Sequence, residues 1–399
     1  MESSPVHPVP GTPVPALVLT GGGARAAYQV GVLKAVAELL PDRPIPFRVI
    51  IGTSAGAVAA SVIAARARRW RRAVVQIEQV WANFHVDHVF RIGGWHMLRA
   101  GVHWLLALIS GGLLLPSPKS LFDNSPLREL LHRSVGWRNL RRGVARGDIA
   151  ALGVCATGYA SALSTTFYEG RPGLADWARR HHLGVRSELT LRHLMASLAV
   201  PFLFPPERIG DEYFGDGAMR QLSPLSPAIH LGANRLLIVG VRAAHDAGVI
   251  QNRPGQPTPP SPGQLFGYAL DTLFMDQIYA DIEQLERMNR TVRVAPRAVP
   301  GAVQVKTLMI TPSEDPRAVA LRNLDHCPRS LRALLRVIGA GDVGGAQLAS
   351  YLMFEAPYTR ELIALGYRDT MARAEEVVRF LTADDDAMGE EPSAQEQRA

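Results

Sequence analysis

The sequence predicts an α/β fold, a three-layer αβα arrangement with a mainly parallel central sheet, followed by a mostly helical C-terminal extension. Three observations predict it. Ala16-Leu-Val-Leu-Thr20 and Phe47–Ile51 are apolar runs without polar alternation, as strands buried on both faces read. Each runs into a glycine-containing turn, Gly21-Gly22-Gly23 and Gly52-Thr53-Ser54-Ala55-Gly56, that opens a helical stretch. After a proline-rich segment at 251–263 the pattern is helical for most of the remaining chain.

The elements follow in order. Residues 1–15 are rich in proline, with neither a basic start nor an apolar signal core, and read as a disordered lead. From Ala24 to Leu40 the apolar residues Tyr28, Val32, Leu33, Val36 and Leu39 recur near helical spacing, and Pro41-Asp42-Arg43-Pro44 stops them. An alanine-rich helix runs from Gly56 to about Trp70. Because strand-helix-strand crossovers are right-handed, the Gly21 loop and the Gly52 turn are expected side by side at the carboxyl edge of the sheet. Further strands are expected at Ile149–Thr157, Thr165–Tyr168, Glu212–Phe214, Arg235–Val241 and Val303–Ile310.

Trp95–Leu115 is the most apolar stretch, but Arg99 and His103 interrupt it, and Trp104–Leu115 is shorter than the roughly 20 residues that cross a bilayer. It reads as a buried or interfacial hairpin, or a lid. The expected organisation is a catalytic domain at 16–230, a further sheet strand within 231–250, a linker at 251–263, a helical region at 264–383 and an acidic disordered tail at 384–399.

Composition narrows the classes. The 399 residues carry 43 Lys and Arg against 36 Asp and Glu, a net charge of +7, with 47% hydrophobic residues. That balance suits a globular chain rather than a disordered or multi-span membrane one. Cys155 and Cys327 stand alone, which argues against a disulfide scaffold and for a cytoplasmic location. The basic excess sits in two runs, Arg66, Arg68, Arg69, Arg71 and Arg72, then Arg138, Arg141, Arg142 and Arg146. Solvated helix faces or an anionic membrane fit these runs better than nucleic acid.

Gly52-Thr53-Ser54-Ala55-Gly56 is the one G-x-S-x-G in the chain. A sharp strand-to-helix turn there would force Ser54 into a strained conformation with its hydroxyl exposed, and the flanking Gly52 and Gly56 avoid Cβ clashes. The loop Gly21-Gly22-Gly23-Ala24-Arg25-Ala26 fits two chemistries. As a dinucleotide fingerprint it lacks the acidic residue at the end of the second strand. Beside Ser54, its amides form an oxyanion hole. Asp216, in Gly215-Asp216-Gly217-Ala218, is the candidate base, although Asp-Gly alone reads as a turn. His230, His245 and His326 are the alternative bases in a Ser-Asp-His order. His85 with His88, and His181 with His182, lack metal-ligand spacing, so no metal and no cofactor are expected.

These motifs in this order resemble the patatin-like phospholipase family: Gly-Gly-Gly-x-Arg, then Gly-Thr-Ser-Ala-Gly, then Gly-Asp-Gly-Ala. Ala196-Ser197-Leu198-Ala199-Val200-Pro201 with Phe204-Pro205-Pro206 resembles the family's segment before the aspartate, and Ser350–Glu355 with Leu365-Gly-Tyr367 resembles the tails of some bacterial members. The family usually has glycine where this chain has Ala26. The resemblance implies a Ser54–Asp216 dyad without histidine, an oxyanion hole at Gly21–Gly23, and Arg25 as support for the loop rather than a proton-transfer group. It implies a serine lipid acyl hydrolase acting on carboxylic esters of phospholipids or other glycerolipids, with peripheral contact to an anionic membrane. The alternatives are a soluble-ester esterase or acyltransferase, and a catalytically silent lipid- or nucleotide-binding protein.

Overall fold

A computed structural model describes residues 13–91, 120–243, 259–294, 303–339 and 345–382, the side chains of 273–276 excepted. Strand β1 (Pro15–Leu19) leads through a 3-10 turn into helix α1 (Ala27–Leu39), and β2 (Val49–Thr53) leads into α2 (Ala55–Ala65) and then α3 (Trp70–Ala82). After α4 (Ser125–Ser134) and α5 (Trp137–Arg146) come β3 (Ala151–Gly158), β4 (Ser164–Gly170), β5 (Trp177–Arg179), β6 (His182–Arg186), α6 (Leu191–Ser197), β7 (Glu207–Ile209) and β8 (Glu212–Asp216). The chain continues through α7 (Ser226–His230), β9 (Arg235–Val239), α8 (Pro262–Val294), β10 (Lys306–Ile310) and α9 (Pro316–Arg322). It ends with α10 (Arg329–Val337), α11 (Ala346–Leu352), α12 (Ala356–Met371) and α13 (Ala374–Thr382).

The strands form one mixed sheet in the order β10-β9-β1-β2-β3-β4-β6-β5, with β8 pairing β3 and β7 pairing β8. Its core, β10-β9-β1-β2-β3, is parallel throughout. Alternation along these strands separates two cores. Leu17, Leu19, Ile50, Leu237 and Val239 pack with α1, α2, α3 and α12 on one face. Ala16, Val18, Val49, Ile51, Leu236 and Ile238 pack with α7 and α8 on the other. Both faces are apolar, so these strands read as unbroken hydrophobic runs.

The C-terminal elements share this core. β10 adds a parallel edge strand beside β9. α12 lies against α1 at backbone distance: a Cβ on Gly31 would stand 2.0 Å from the carbonyl oxygen of Ile363, and one on Gly366 would stand 2.1 Å from that of Tyr28. Only glycine allows two helices to approach so closely.

Several boundaries differ from the sequence reading. β1 takes Pro15 from the expected lead, since proline is tolerated as the first residue of a strand. The second strand starts at Val49, with Phe47 packing into the core ahead of it. The expected helix to Trp70 breaks at Arg66 and restarts at Trp70. α8 begins at Pro262, inside the expected linker, with proline in the first turn, where its missing N–H costs nothing. Strands β5, β6 and β7 lacked an apolar signal because they are short and largely solvent-facing. Residues 95–115, most of the linker, the tail and nearly all of the lead lie outside the described residues. Among the described residues no helix is long and apolar enough to cross a membrane.

Candidate active site

The end of β2 and the start of α2 make the turn that G-x-S-x-G predicts. Ser54 has φ +51° and ψ −129°, a region that L-residues avoid at a cost of about 1–3 kcal/mol. The turn closes on a hydrogen bond from Ala57 N–H to the Ser54 carbonyl at 2.9 Å. Gly56 lets α2 press against β1: a Cβ there would meet the carbonyl oxygens of Leu19 and Thr20 at 2.5 and 2.6 Å. Side chains at Gly52 and Gly217 would strike Ala57 and the Cys155 carbonyl. Contrary to the expected exposed hydroxyl, Ser54 is 2% exposed, and it borders a cleft rather than open solvent.

Sheet pairing brings Asp216 to this turn. Thr53 is opposite Cys155 across β2 and β3, and Ala156 is opposite Asp216 across β3 and β8. Asp216 is 1% exposed, and its Oδ1 accepts from the Ala218 N–H at 2.9 Å. Its Oδ2 has no hydrogen-bond partner, while the Ser54 side chain lies near enough to favour the charged carboxylate. That contact is an approach rather than a formed hydrogen bond. Burial dominates, and the carboxyl is pushed up to about 7 against the weaker opposing pull of Ser54 and the Ala218 amide.

The last residue of α6 and the segment just after it hold both residues by their backbones. Ser197 Oγ accepts the Ser54 N–H at 2.9 Å, and the Ala199 carbonyl accepts the Asp216 N–H at 2.9 Å. Sequence reasoning passed over these roles, although the segment itself stood out for its resemblance. The amide of Ala55, first in α2 and bordering the cleft, was also passed over.

In the glycine loop, the first amide to close a turn is that of Arg25, onto the Gly22 carbonyl at 3.1 Å. The amides of Gly22 and Gly23 find no acceptor among the described residues. Gly23, at φ +53°, borders the cleft together with Ser54, whereas Gly21 borders a small pocket beside Gln221 and Ile278. A Cβ on Gly23 would stand 2.4 Å from the Tyr351 carbonyl oxygen of α11.

Arg25 reaches into the C-terminal helices. Its guanidinium donates to Asp271 Oδ1 and Ser350 Oγ, each at 2.8 Å, and to the Gln347 carbonyl at 3.3 Å, and it lies 3.9 Å over the Tyr351 ring. Asp271 keeps its carboxyl below the usual range despite burial, because Arg25 and the Tyr351 and Gln347 donors favour its charge. Arg25 therefore ties the glycine loop to α8 and α11.

The cleft begins at Gly23 and Ser54. Val58 and Val62 of α2, Ile77 and Trp81 of α3, and Leu131 of α4 form its walls, and almost all of its surface is apolar. Among the described residues no histidine borders it. His230 lies on the opposite face of the sheet, stacked on Trp177 with Nδ1 against the Ser226 carbonyl at 2.9 Å, and burial lowers its proton affinity. His326 lies in a turn after α9, and His245 lies outside the described residues. Among the described residues no cluster of His, Cys, Asp or Glu could hold a metal.

Comparison with known proteins follows the same lines. A family model described as patatin-like phospholipase matches residues 17–229, more than half of the chain. No curated protein matches the sequence. Similar solved structures include VipD from Legionella pneumophila, at 12% identity over 92% of this chain and 68% of that one, with a TM-score of 0.33. Human GIVD cytosolic phospholipase A2 is similar at 12% identity over 92% of this chain and 60% of that one, with a TM-score of 0.44. The same human enzyme in complex with methyl gamma-linolenyl fluorophosphonate aligns at 13% identity with a TM-score of 0.41. The chain thus covers about three-fifths of the human enzyme's length. With its family model spanning the glycine loop, the serine turn and the aspartate motif, the chain belongs to the patatin-like phospholipase family.

Proposed function

We propose that the protein is a serine lipid acyl hydrolase that cleaves carboxylic esters of phospholipids or other glycerolipids. The observation that carries this reading is the apolar cleft that starts at Ser54, next to a buried carboxylate with one oxygen unpartnered. Such a cleft suits a fatty acyl chain and offers little to a polar substrate.

In this reading Ser54 Oγ attacks the ester carbonyl while Asp216 takes its proton and returns it to the leaving alcohol. A base titrating near 7 suits that task, because about half of it is ionised at neutral pH and it is still basic enough to receive a proton. The amides of Gly22 and Gly23 receive the negative oxygen, with Gly21 shaping their turn, and the Ala55 amide stands where a nucleophile elbow supplies a further donor. Each donor of this kind is worth about 3–4 kcal/mol of barrier. Water then attacks the acyl-enzyme, with Asp216 again as base. Arg25 supports the loop. Residues 16–230 carry the reacting groups, and the region after 264 braces them. The enzyme works in the cytoplasm and meets an anionic membrane peripherally.

The test is fatty-acid release from mixed phospholipid vesicles by the purified protein, alongside Ser54→Ala and Asp216→Asn variants checked for folding. Release that disappears in both supports the dyad and lipid hydrolysis together. Cleavage of short soluble esters but not vesicles would indicate an esterase, and release that survives both substitutions would overturn the reading.

A further inference from the structure

The two basic runs of the sequence come together in the fold. Arg66, Arg68, Arg69 and Arg72 from the break between α2 and α3, and Arg142 and Arg146 from α5, border one groove with Asn139 and Asp148. Among the described residues Asp148 is the single carboxylate bordering it, and Arg146 occupies it through Nε and Nη2 at 3.0 and 2.8 Å. Arg66, Arg68, Arg69, Arg72 and Arg142 form no ion pair among the described residues. Arg71 is turned away, donating to the Leu40 and Arg43 carbonyls at 2.8 Å.

The fold's own needs explain only part of this cluster. Arg66 ends α2 and Arg146 lies in the last turn of α5, where a cation complements the helix dipole. Arg68, Arg69 and Arg72 do the opposite. They surround the N-terminus of α3, a helix of 13 residues with no acidic residue in its first turn and no side-chain cap. Positive charge against a positive helix end, beside three more arginines, is electrostatically unfavourable in the empty protein. The arrangement becomes favourable once anions fill the groove. Several arginine forks around one cavity suit oxygens that accept two hydrogen bonds each, and separate walls suit more than one anionic group on one ligand.

We propose that this groove binds a ligand carrying two or more closely spaced phosphates, presented on a lipid headgroup or free in solution. It is a site separate from Ser54, which lies at the opposite end of α2, about 18 Å away at 1.5 Å per residue. Gln76 of α3 borders both the groove and the apolar cleft, so an occupied groove fixes the base of the helix that forms one cleft wall.

The experiment titrates the full chain with inositol trisphosphate, inorganic orthophosphate and a short duplex DNA, and sediments it with phosphatidylcholine vesicles with and without a bisphosphorylated lipid. Two variants accompany the wild type, Arg68→Gln/Arg69→Gln and Arg72→Gln/Arg142→Gln, so that failure of one to fold leaves the other. The expected result is trisphosphate binding at least about tenfold tighter than orthophosphate, weakened by salt, and weakened about tenfold or more in the folded variants. The variants should melt no lower than wild type when empty, and the trisphosphate should raise only the wild-type Tm. Sedimentation that requires the bisphosphorylated lipid identifies a headgroup as the source; binding of the soluble probe without sedimentation identifies a free ligand. No binding by either arm, binding unchanged in both variants, or tighter binding to the duplex through the same arginines would overturn the proposal.

Discussion

The backbone N–H of Ser54 donates to the hydroxyl of Ser197 at 2.9 Å, and both residues are buried. The strained turn is therefore held from outside itself. Removing the hydroxyl leaves a buried donor unpaired, at a cost of about 1–3 kcal/mol. Ser197→Ala should lower kcat by about tenfold with little change in KM, because the cleft is untouched while the serine loses its register. Steady-state kinetics and a melting curve of the same preparation check this. A Tm loss with unchanged kcat would make Ser197 purely structural.

The activity should depend on pH, with Asp216 as the proposed base. With its carboxyl near 7, kcat/KM should rise as pH increases through about 7 and then level off, as the ionised base is recovered. A profile that is flat from pH 5 to 8 would exclude Asp216 as the base.

Stability should move the other way. The folded protein holds the Asp216 proton more tightly than the unfolded chain, whose value is about 3.8, so stability falls as pH rises from about 4 to about 7. Asp216→Asn removes that penalty while an amide oxygen still accepts from Ala218. The variant should melt a few degrees above wild type at pH 8, and the difference should shrink towards pH 4.

Arg25 and Asp271 form a buried ion pair at 2.8 Å. Losing one partner strands the other charge, so Arg25→Ala should destabilise by about 3–5 kcal/mol. Arg25→Met together with Asp271→Asn should recover part of that loss, and a thermal double-mutant cycle measures it. Additive losses would show the pair to be uncoupled.

The cleft predicts chain-length selectivity. Val62 lies eight residues along α2 from Ser54, about 12 Å at 1.5 Å per residue. Val62→Phe should cut activity on long-chain esters about tenfold or more while sparing short ones. A uniform loss across chain lengths would indicate a folding defect instead.

The strands β1, β2 and β9, and the neighbouring of β1 and β2, were legible because strands buried on both faces leave continuous apolar runs, and the glycine turns after β1 and β2 announce where each ends; the place of β9 beside β1 was not. The approach of Ser54 to Asp216 was legible only through motif order, since periodicity cannot report that β8 folds back on β3. Ser197 looked like an ordinary small residue: a hydroxyl that caps another segment's amide has no local signature. Arg25 was read as loop support, but its partner Asp271 sits in the middle of a long helix, where nothing in the sequence distinguishes it from a surface carboxylate. The break at Arg66–Arg69 was missed because the apolar pattern runs on through Ala67 and Trp70.

The contacts of Gly23 and Arg25 with α11 have a consequence for how the chain matures. Residues matched by the family model end at 229, before the strands that flank β1 on one side and the helices that grip the glycine loop are made. A ribosome that has finished Asp216 has supplied both Ser54 and Asp216, yet the glycine loop still lacks Tyr351, Ser350 and Asp271. Order of synthesis thus leaves the glycine loop unbraced until α11 has been made, and a fragment released before then would carry Ser54 and Asp216 without the helices that hold the loop.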